Sequence, residues 1–213
     1  MKWSELSSAW QACLEESWAA YCQGSVPIGA VIVNPAGEIV SRGRNRIRER
    51  EAPPLQTCNN QLAHAELNAL LALGPRPADV RSFAIYTAVE PCPLCMGAIY
   101  MAAVRSIYFA CEDAYAGSTN LLGTTWYLGH KPVLAFGAQR GAGLAEFACA
   151  LHIEYNLRTY EQPNIVVDME RTVFPQGVAL GEKLAEGGLG QQWAAEGIGV
   201  AEAYARVGDL SGG

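Results

Sequence analysis

Hydrophobic positions in the first half of the chain predict helices alternating with strands. Residues 5–23 carry apolar side chains every three or four positions and are followed by Gly24, which predicts an amphipathic helix. Two short apolar runs, 27–33 and 38–44, flank the turn sequence NPAG and predict a hairpin. The elements predicted next are a loop over 45–61, a helix over 62–74, a strand over 82–90, a helix over 93–103 and a strand over 104–111. Because helices and strands alternate after the hairpin, we predict an α/β fold with a mixed sheet covered by helices.

The second half of the chain gives a weaker pattern. Residues 116–125 are rich in Gly, Ser and Thr and predict a loop, and 131–138 could form an edge strand. Residues 146–158 fit neither the helical nor the strand period, whereas the segment after residue 176 contains helical stretches. We therefore expect a main domain over 1–158 and a C-terminal helical extension over 159–213 that packs on the same domain.

Composition and charge argue for a globular chain without a general affinity for nucleic acid. The chain has 213 residues, of which 50% are hydrophobic, and a formal net charge of −6. The hydrophobic residues supply a sizeable core. Because the net charge is negative, phosphate binding would need a local basic patch. Five arginines alternate along one segment: Arg42, Arg44, Arg46, Arg48 and Arg50. They could clamp a phosphate, but a solvated strand edge is favoured because Glu49 and Glu51 reduce the local charge.

The cysteines point to metal chemistry more than to cross-links. The first residues, MKWSELSSAWQ, lack the basic and apolar segments of a secretory signal, and no apolar run has transmembrane length. We therefore predict a cytoplasmic location, where grouped cysteines are usually metal ligands or catalytic. Five of the seven cysteines are interpreted as ordinary buried or loop thiols: Cys13, Cys22, Cys58, Cys111 and Cys149.

The remaining pair, Cys92 and Cys95, opens a predicted helix behind Pro91. Alone, a CxxC pair fits a disulfide, a redox switch or half of a metal site. Another predicted helix carries His64, and one imidazole with two thiolates suits zinc with the fourth position open for water, as in catalytic sites. Glu66, two residues after His64, can then move protons, and H-x-E followed by P-C-x-x-C is the zinc-deaminase signature.

These motifs resemble the cytidine-deaminase-like superfamily. The segments that carry the resemblance are VPIGAVIV, Asn45, AHAE and EPCPLCMGAIY, within residues 5–115. They are most similar to the branch that holds guanine deaminases and tRNA-specific adenosine deaminases. The resemblance implies a three-layer α/β/α fold with a five-stranded mixed sheet, a homodimer or larger oligomer, and Zn²⁺ on His64, Cys92 and Cys95. It also implies that Glu66 carries a proton from water to the substrate ring and then to the amine, which leaves as ammonia.

The resemblance places substrate contacts at four residues: Ile28, Asn45, Ala65 and Pro91. Asn45 would form a hydrogen bond to the substrate ring. The Ala65 amide would form one to a carbonyl or ring nitrogen of the substrate. The motif most similar to that of guanine deaminases is CPLCMGAIYMA, although Ile28 stands where those enzymes have an aromatic residue. VPIGA is shared with the tRNA enzymes, but NNQL replaces their Asp-Pro-Thr, and the segment from Asn45 to His64 is about eight residues longer than in either group. Trp126, Tyr127 and Tyr155 could stack on a flat ring, although core packing is the favoured role.

We therefore expect deamination of a free purine or pyrimidine base, a nucleoside or a related ring. A tRNA-editing adenosine deaminase is the alternative. A non-catalytic, zinc-stabilised partner-binding module is a third hypothesis, which the intact Glu66 disfavours because a structural site needs no proton carrier. Nucleic acid is an unlikely partner on this interpretation, and no membrane contact is expected.

Overall fold

A five-stranded mixed sheet forms the centre of the molecule in the computed structural model, which describes residues 1–75 and 77–211. The strands are β1 (Gly29–Val33), β2 (Ile39–Arg44), β3 (Ala84–Val89), β4 (Ser106–Cys111) and β5 (Leu134–Gly137). Their spatial order is β2-β1-β3-β4-β5. Strand β1 pairs antiparallel with β2 and β3, whereas β3–β4 and β4–β5 are parallel. The predicted hairpin, mixed sheet and edge strand are confirmed.

Helices cover both faces of this sheet. They are α1 (Ser8–Cys22), α2 (Ala65–Ala72), α3 (Pro93–Ala102), α4 (Trp126–His130), α5 (Leu144–Thr159), α6 (Ile165–Val173), α7 (Pro175–Glu186), α8 (Leu189–Glu196) and α9 (Val200–Leu210). Short 3₁₀ turns lie at Trp3–Glu5, Val80–Ser82 and Thr119–Leu121.

The alternation of side chains along β1 creates two cores. Val31 and Val33 pack with α1, α5 and the C-terminal helices, whereas Ala30 and Ile32 pack with α2 and α3. Successive strand residues point to opposite faces, so a wholly buried strand such as β1 must be apolar throughout. This gives the expected three layers, helices–sheet–helices.

Helix α5 explains why residues 146–158 show no clear period. Positions 147–151 are all buried. The sheet and α1 lie on one side of α5, and helices α6, α7 and α9 lie on its other side. A helix that is covered on every side has no polar stripe to mark its period. Helices α6, α7 and α9 of the expected extension pack directly on α5, although the division at residue 158 stays a prediction.

Helix boundaries differ from the predicted ones where a cap sets them. Helix α1 begins at Ser8, after Ser7, whose hydroxyl accepts the Trp10 N–H at 3.4 Å. Helix α2 begins at Ala65 with His64 as its N-cap residue, three residues later than predicted. In the segment predicted to be a loop, the structure has the 3₁₀ turn over 119–121, and helix α4, which was not predicted, follows it.

The alternating arginines do not line one side of an extended chain, because β2 ends at Arg44. Arg44 and Arg46 both pair with Glu49. Arg46 is only 6% exposed, so the interpretation as a solvated strand edge is wrong for this residue. Its guanidinium is internal because the loop after β2 folds back over it.

Within residues 1–75 and 77–211 no helix is both long and apolar enough to cross a membrane. The cytoplasmic location stays a prediction.

Candidate metal and catalytic site

The beginnings of α2 and α3 meet at the carboxyl end of β3 and bring three ligand side chains together. His64 is the N-cap residue of α2, Cys92 is the N-cap residue of α3, and Cys95 lies in the first turn of α3. His64 Nδ1 lies 3.5 Å from Cys92 Sγ and 3.4 Å from Cys95 Sγ. Pro93 occupies the first turn of α3, where its missing N–H costs nothing. The three residues can together hold a metal ion, and their imidazole and sulfur donors are those of zinc sites.

Hydrogen bonds within the cluster favour a charged thiolate, the form that binds metal. The contact with Cys95, followed by the bond to His64, lowers the pKa of Cys92 to about 4. The same contact and burial raise the pKa of Cys95. The bond to Cys92 also raises the pKa of His64.

Glu66 lies beside the three ligands and is almost fully buried, at 3% exposure. Its Oε1 accepts a hydrogen bond from Thr87 Oγ1 at 3.1 Å, and its Oε2 accepts one from Cys95 Sγ at 3.2 Å. Burial is the main cause that raises the pKa of Glu66. A carboxyl in such a place can take a proton and release it again, as a general acid–base needs.

The packing of α2 against β2 holds Glu66 in this position. A Cβ at Gly43 of β2 would lie 2.2 Å from the Ala69 N of α2, so only glycine permits the close approach. Asn68, fully buried in α2, donates to the Arg44 carbonyl at 3.0 Å and accepts the Thr57 N–H at 2.8 Å. The helix is thereby bonded to β2 and to the loop that follows it.

That loop, residues 45–63, is ordered by its own bonds next to the ligands. The Arg46 N–H donates to the Ala63 carbonyl at 2.8 Å, one residue before His64. The Asn59 N–H donates to the Arg46 carbonyl at 3.0 Å. The long segment predicted between Asn45 and His64 is therefore bonded to the chain directly before the His64 ligand.

Of the four expected substrate contacts, Ala65 follows the ligand His64 and Pro91 precedes the ligand Cys92, whereas Asn45 and Ile28 are bonded to each other. Asn45 is 2% exposed, and its N–H donates to the Ile28 carbonyl at 2.9 Å, which brings these two residues together. Ala65 is buried next to His64. The Pro91 carbonyl accepts the Ser118 N–H at 3.0 Å, so Pro91 lies against the loop after β4.

Two residues of the site were not among the predicted ones. Thr87 stands out in its strand only as a hydroxyl in the buried run AIYTAV, which is a weak signal. Glu90 accepts the N–H groups of Asp113 at 3.4 Å and Thr119 at 3.1 Å and so fixes the loop after β4 next to Pro91. A glutamate before Pro-Cys gives no sequence signal for this contact.

The aromatic residues considered for stacking lie in two places, Tyr155 in α5 and Trp126 with Tyr127 in α4. Tyr155 is buried at 1% exposure and accepts a hydrogen bond from Arg48 at 3.0 Å. Trp126 is 79% exposed and stacks on His130 in α4. The favoured role in core packing holds for Tyr155 and is wrong for Trp126, because α4 lies at the surface.

A mixed sheet with helices on both faces and a His-Cys-Cys cluster beside a buried carboxyl define a zinc-binding α/β protein of the deaminase class. Sequence comparison places the chain more closely. The sequence model described as "Cytidine and deoxycytidylate deaminase zinc-binding region" matches residues 3–111 of the 213. The chain belongs to this family, which confirms the resemblance and the prediction of zinc as the cofactor. The assignment of His64, Cys92 and Cys95 as its ligands stays a prediction.

Curated relatives of different function share this region. The chain is 38% identical to guanine deaminase of Bacillus subtilis, over 42% of this chain and 53% of that protein. It is 34% identical to tRNA-specific adenosine deaminase of the same organism, over 51% and 63% of the two chains. It is also 34% identical to tRNA(Ile)-lysidine synthase of Deinococcus radiodurans, over 54% of this chain but only 19% of that longer protein.

A solved structure shows the same fold. A mutant of the protein NE0047 in complex with 8-azaguanine superimposes with a TM-score of 0.56 and 25% identity, over 72% of this chain and 85% of that chain. The predicted three-layer fold with a five-stranded mixed sheet and a helical C-terminal region is confirmed.

Proposed function

We propose that this chain is a hydrolytic deaminase that releases ammonia from a small aminated heterocycle, a purine or pyrimidine base, its nucleoside or a related ring. The observation that carries the proposal is the buried Glu66 carboxyl, whose Oε2 lies 3.2 Å from Cys95 Sγ at the metal ligands. A zinc site with only a structural role needs ligands, whereas a buried carboxyl beside them serves proton transfer.

In this proposal His64, Cys92 and Cys95 hold the zinc ion. When bound, zinc supplies a Lewis acid that makes water nucleophilic near neutral pH. Glu66 takes one proton from the water at Oε2 and delivers it to a ring nitrogen. It then takes the second proton from the hydroxyl that the ring carbon has gained and delivers it to the amino group. The ring carbon gains an oxygen and loses its amine, so water and the amine become a carbonyl and ammonia. Thr87 keeps Oε1 in place throughout.

The substrate would lie between Asn45, Ala65, Ile28 and Pro91. Asn45 is suited to read a ring edge, because its amide offers both a donor and an acceptor. Its backbone N–H is bonded to Ile28, so these two residues would form one wall and Pro91 another.

The charges of the arginine segment favour a free ring over a nucleic acid. Arg42 pairs with Glu15 at 2.8 Å, and Arg44 pairs with Glu49 at 2.8 Å. Arg46 also pairs with Glu49. These three cations already have carboxylate partners, so a phosphate would have to displace them. The relationship to guanine deaminase and the 8-azaguanine bound to NE0047 support a purine-like ring.

An ammonia-release assay tests the proposal. The full chain, with its zinc content measured, is incubated with guanine, adenine, cytosine, their nucleosides, and small pterins and triazines. We expect release from at least one ring. We expect Glu66→Gln to keep its zinc and lose nearly all turnover, whereas Glu154→Gln, at a buried glutamate of α5, keeps turnover. Ordinary activity in Glu66→Ala would overturn the role of Glu66.

The alternative, editing of adenosine in tRNA, is supported by the tRNA-specific adenosine deaminase among the relatives. It predicts inosine in an anticodon stem-loop and binding that weakens steeply with salt, because phosphate contacts release counterions. Inosine formation together with inactivity on every free ring would favour this alternative.

We also propose that the chain forms a homo-oligomer. Met101 at the end of α3 is 65% exposed and Trp126 in α4 is 79% exposed. Large exposed apolar groups are often covered by a partner. A mass of one chain across the micromolar range in light scattering would contradict this.

A further inference from the structure

A second group of ligand-type side chains lies on the other face of the sheet. Cys111 ends β4, Cys149 lies in α5 and Glu170 lies in α6. Their sulfur and carboxylate atoms all lie within 4.8 Å of one another. The exposures are 2%, 1% and 4%. We propose that these three residues form a second, structural site for a zinc-like divalent ion that joins the C-terminal helices to the sheet.

The carboxylate of Glu170 is the strongest argument. Its Oε2 accepts the Ala114 N–H at 3.0 Å. Its Oε1 is buried and has no hydrogen-bond partner within residues 1–75 and 77–211. A buried carboxylate oxygen without a partner is costly, so native proteins normally satisfy it. An ion held by this oxygen and the two sulfurs would satisfy it.

The donor set also fits this type of ion. Two thiolates and one carboxylate are zinc ligands, and the combination is too soft for calcium or magnesium. Two thiols alone could instead form a disulfide, but that bond would leave Glu170 Oε1 without a partner. The carboxylate therefore favours the metal.

Helix α7 packs closely against the Cys149 side of the cluster. A Cβ at Gly177 of α7 would lie 2.6 Å from Cys149 Sγ and 2.8 Å from Phe174 Cδ1. Glycine lets α7 close over the cysteine, and Phe174 is itself buried. The site is thus enclosed by the apolar core around α5, and its three donors would fill three of the four positions of a tetrahedral zinc ion.

The position of the cluster suggests what the ion would do. Cys111 and Cys149 belong to the expected main domain, and Glu170 belongs to the expected extension. The Glu90 N–H donates to the Cys111 carbonyl at 2.8 Å, and Glu90 fixes the loop beside Pro91. One ion would hold together the end of β4, helix α5 and helix α6, and would steady the wall of the first site.

Metal analysis of the purified full chain tests the proposal without any substrate. We expect two zinc ions per chain in the wild type, one in Cys149→Ser, one in Cys92→Ser and none in the double variant. Cys13→Ser is the matched control, because Cys13 is equally buried and its thiol donates to the Gly29 carbonyl at 3.2 Å, outside the cluster. It should keep two ions.

Glu170→Gln covers the case in which Cys149→Ser does not fold. We expect this variant to lose one of its two ions to a chelator at least tenfold faster than the wild type, while the other ion is lost at the unchanged rate. One zinc ion per chain in the wild type, absent in Cys92→Ser, would overturn the proposal. A mass two hydrogens lower than that of the fully reduced chain, restored by Cys149→Ser, would show a disulfide instead and overturn it as well.

Discussion

The hydrogen bond from Thr87 to Glu66 gives a prediction whose size can be worked out. Thr87 is fully buried, and its hydroxyl donates to Glu66 Oε1 at 3.1 Å. Valine has nearly the same shape and lacks the donor, so Thr87→Val removes this bond and leaves the volume unchanged. Oε1 is then buried without its donor.

The expected loss follows from the energy of such a bond. A hydrogen bond to a charged group contributes about 1.5–3 kcal/mol. If the whole free energy of this bond serves to orient Glu66 in the transition state, kcat falls by about 10- to 150-fold when the bond is lost. KM should change little, because Thr87 is fully buried and its hydroxyl bonds to Glu66. In Thr87→Val the buried Glu66 carboxylate has lost its donor, so the free energy of unfolding should also fall by about 1–3 kcal/mol. Each kcal/mol lowers Tm by about 2–4 °C in a domain of this size.

The assay is steady-state ammonia release on the substrate found by the screen, with zinc content and thermal unfolding measured on the same samples. Thr87→Ser is the conservative variant, because it restores the hydroxyl and lacks only the methyl group. We expect it to recover most of kcat. A Thr87→Val enzyme with kcat within about twofold of the wild type would refute the positioning role, as would a Thr87→Ser enzyme no faster than Thr87→Val.

Two further predictions concern the packing that supports the site. Gly43→Ala places a methyl group 2.2 Å from the Ala69 N, so we expect a loss of about 1–3 kcal/mol in urea unfolding and weaker zinc retention; unchanged values would contradict the tight contact. Glu49→Gln leaves the buried Arg46 without its carboxylate, so the free energy of unfolding should fall by about 3–5 kcal/mol. The control Glu15→Gln breaks an exposed pair with Arg42 and should cost under about 1 kcal/mol, and equal losses in the two variants would show that burial is not the cause.

The pattern of neighbouring residues was sufficient to predict the elements in the first half of the chain. The turn NPAG, the buried run of β1 and the proline of α3 act within a few residues, so the sequence alone predicts these elements. The same holds for the candidate ligands. Their spacing at two helix beginnings is a local property, and the crossover between those helices brings them together.

The tertiary structure decided the features that depend on contacts between distant segments. Helix α5 could not be assigned from the sequence, because its surroundings bury every side and remove the period. Arg46 becomes internal only because the loop after β2 folds back to bring Glu49 against it. Cys111 and Cys149 were interpreted as ordinary thiols, and only the packing of β4, α5 and α6 brings them to Glu170. The spacing of residues along the chain determines which side chains share one turn of a helix. The partners of a buried polar group are set by segments that meet only in the folded protein.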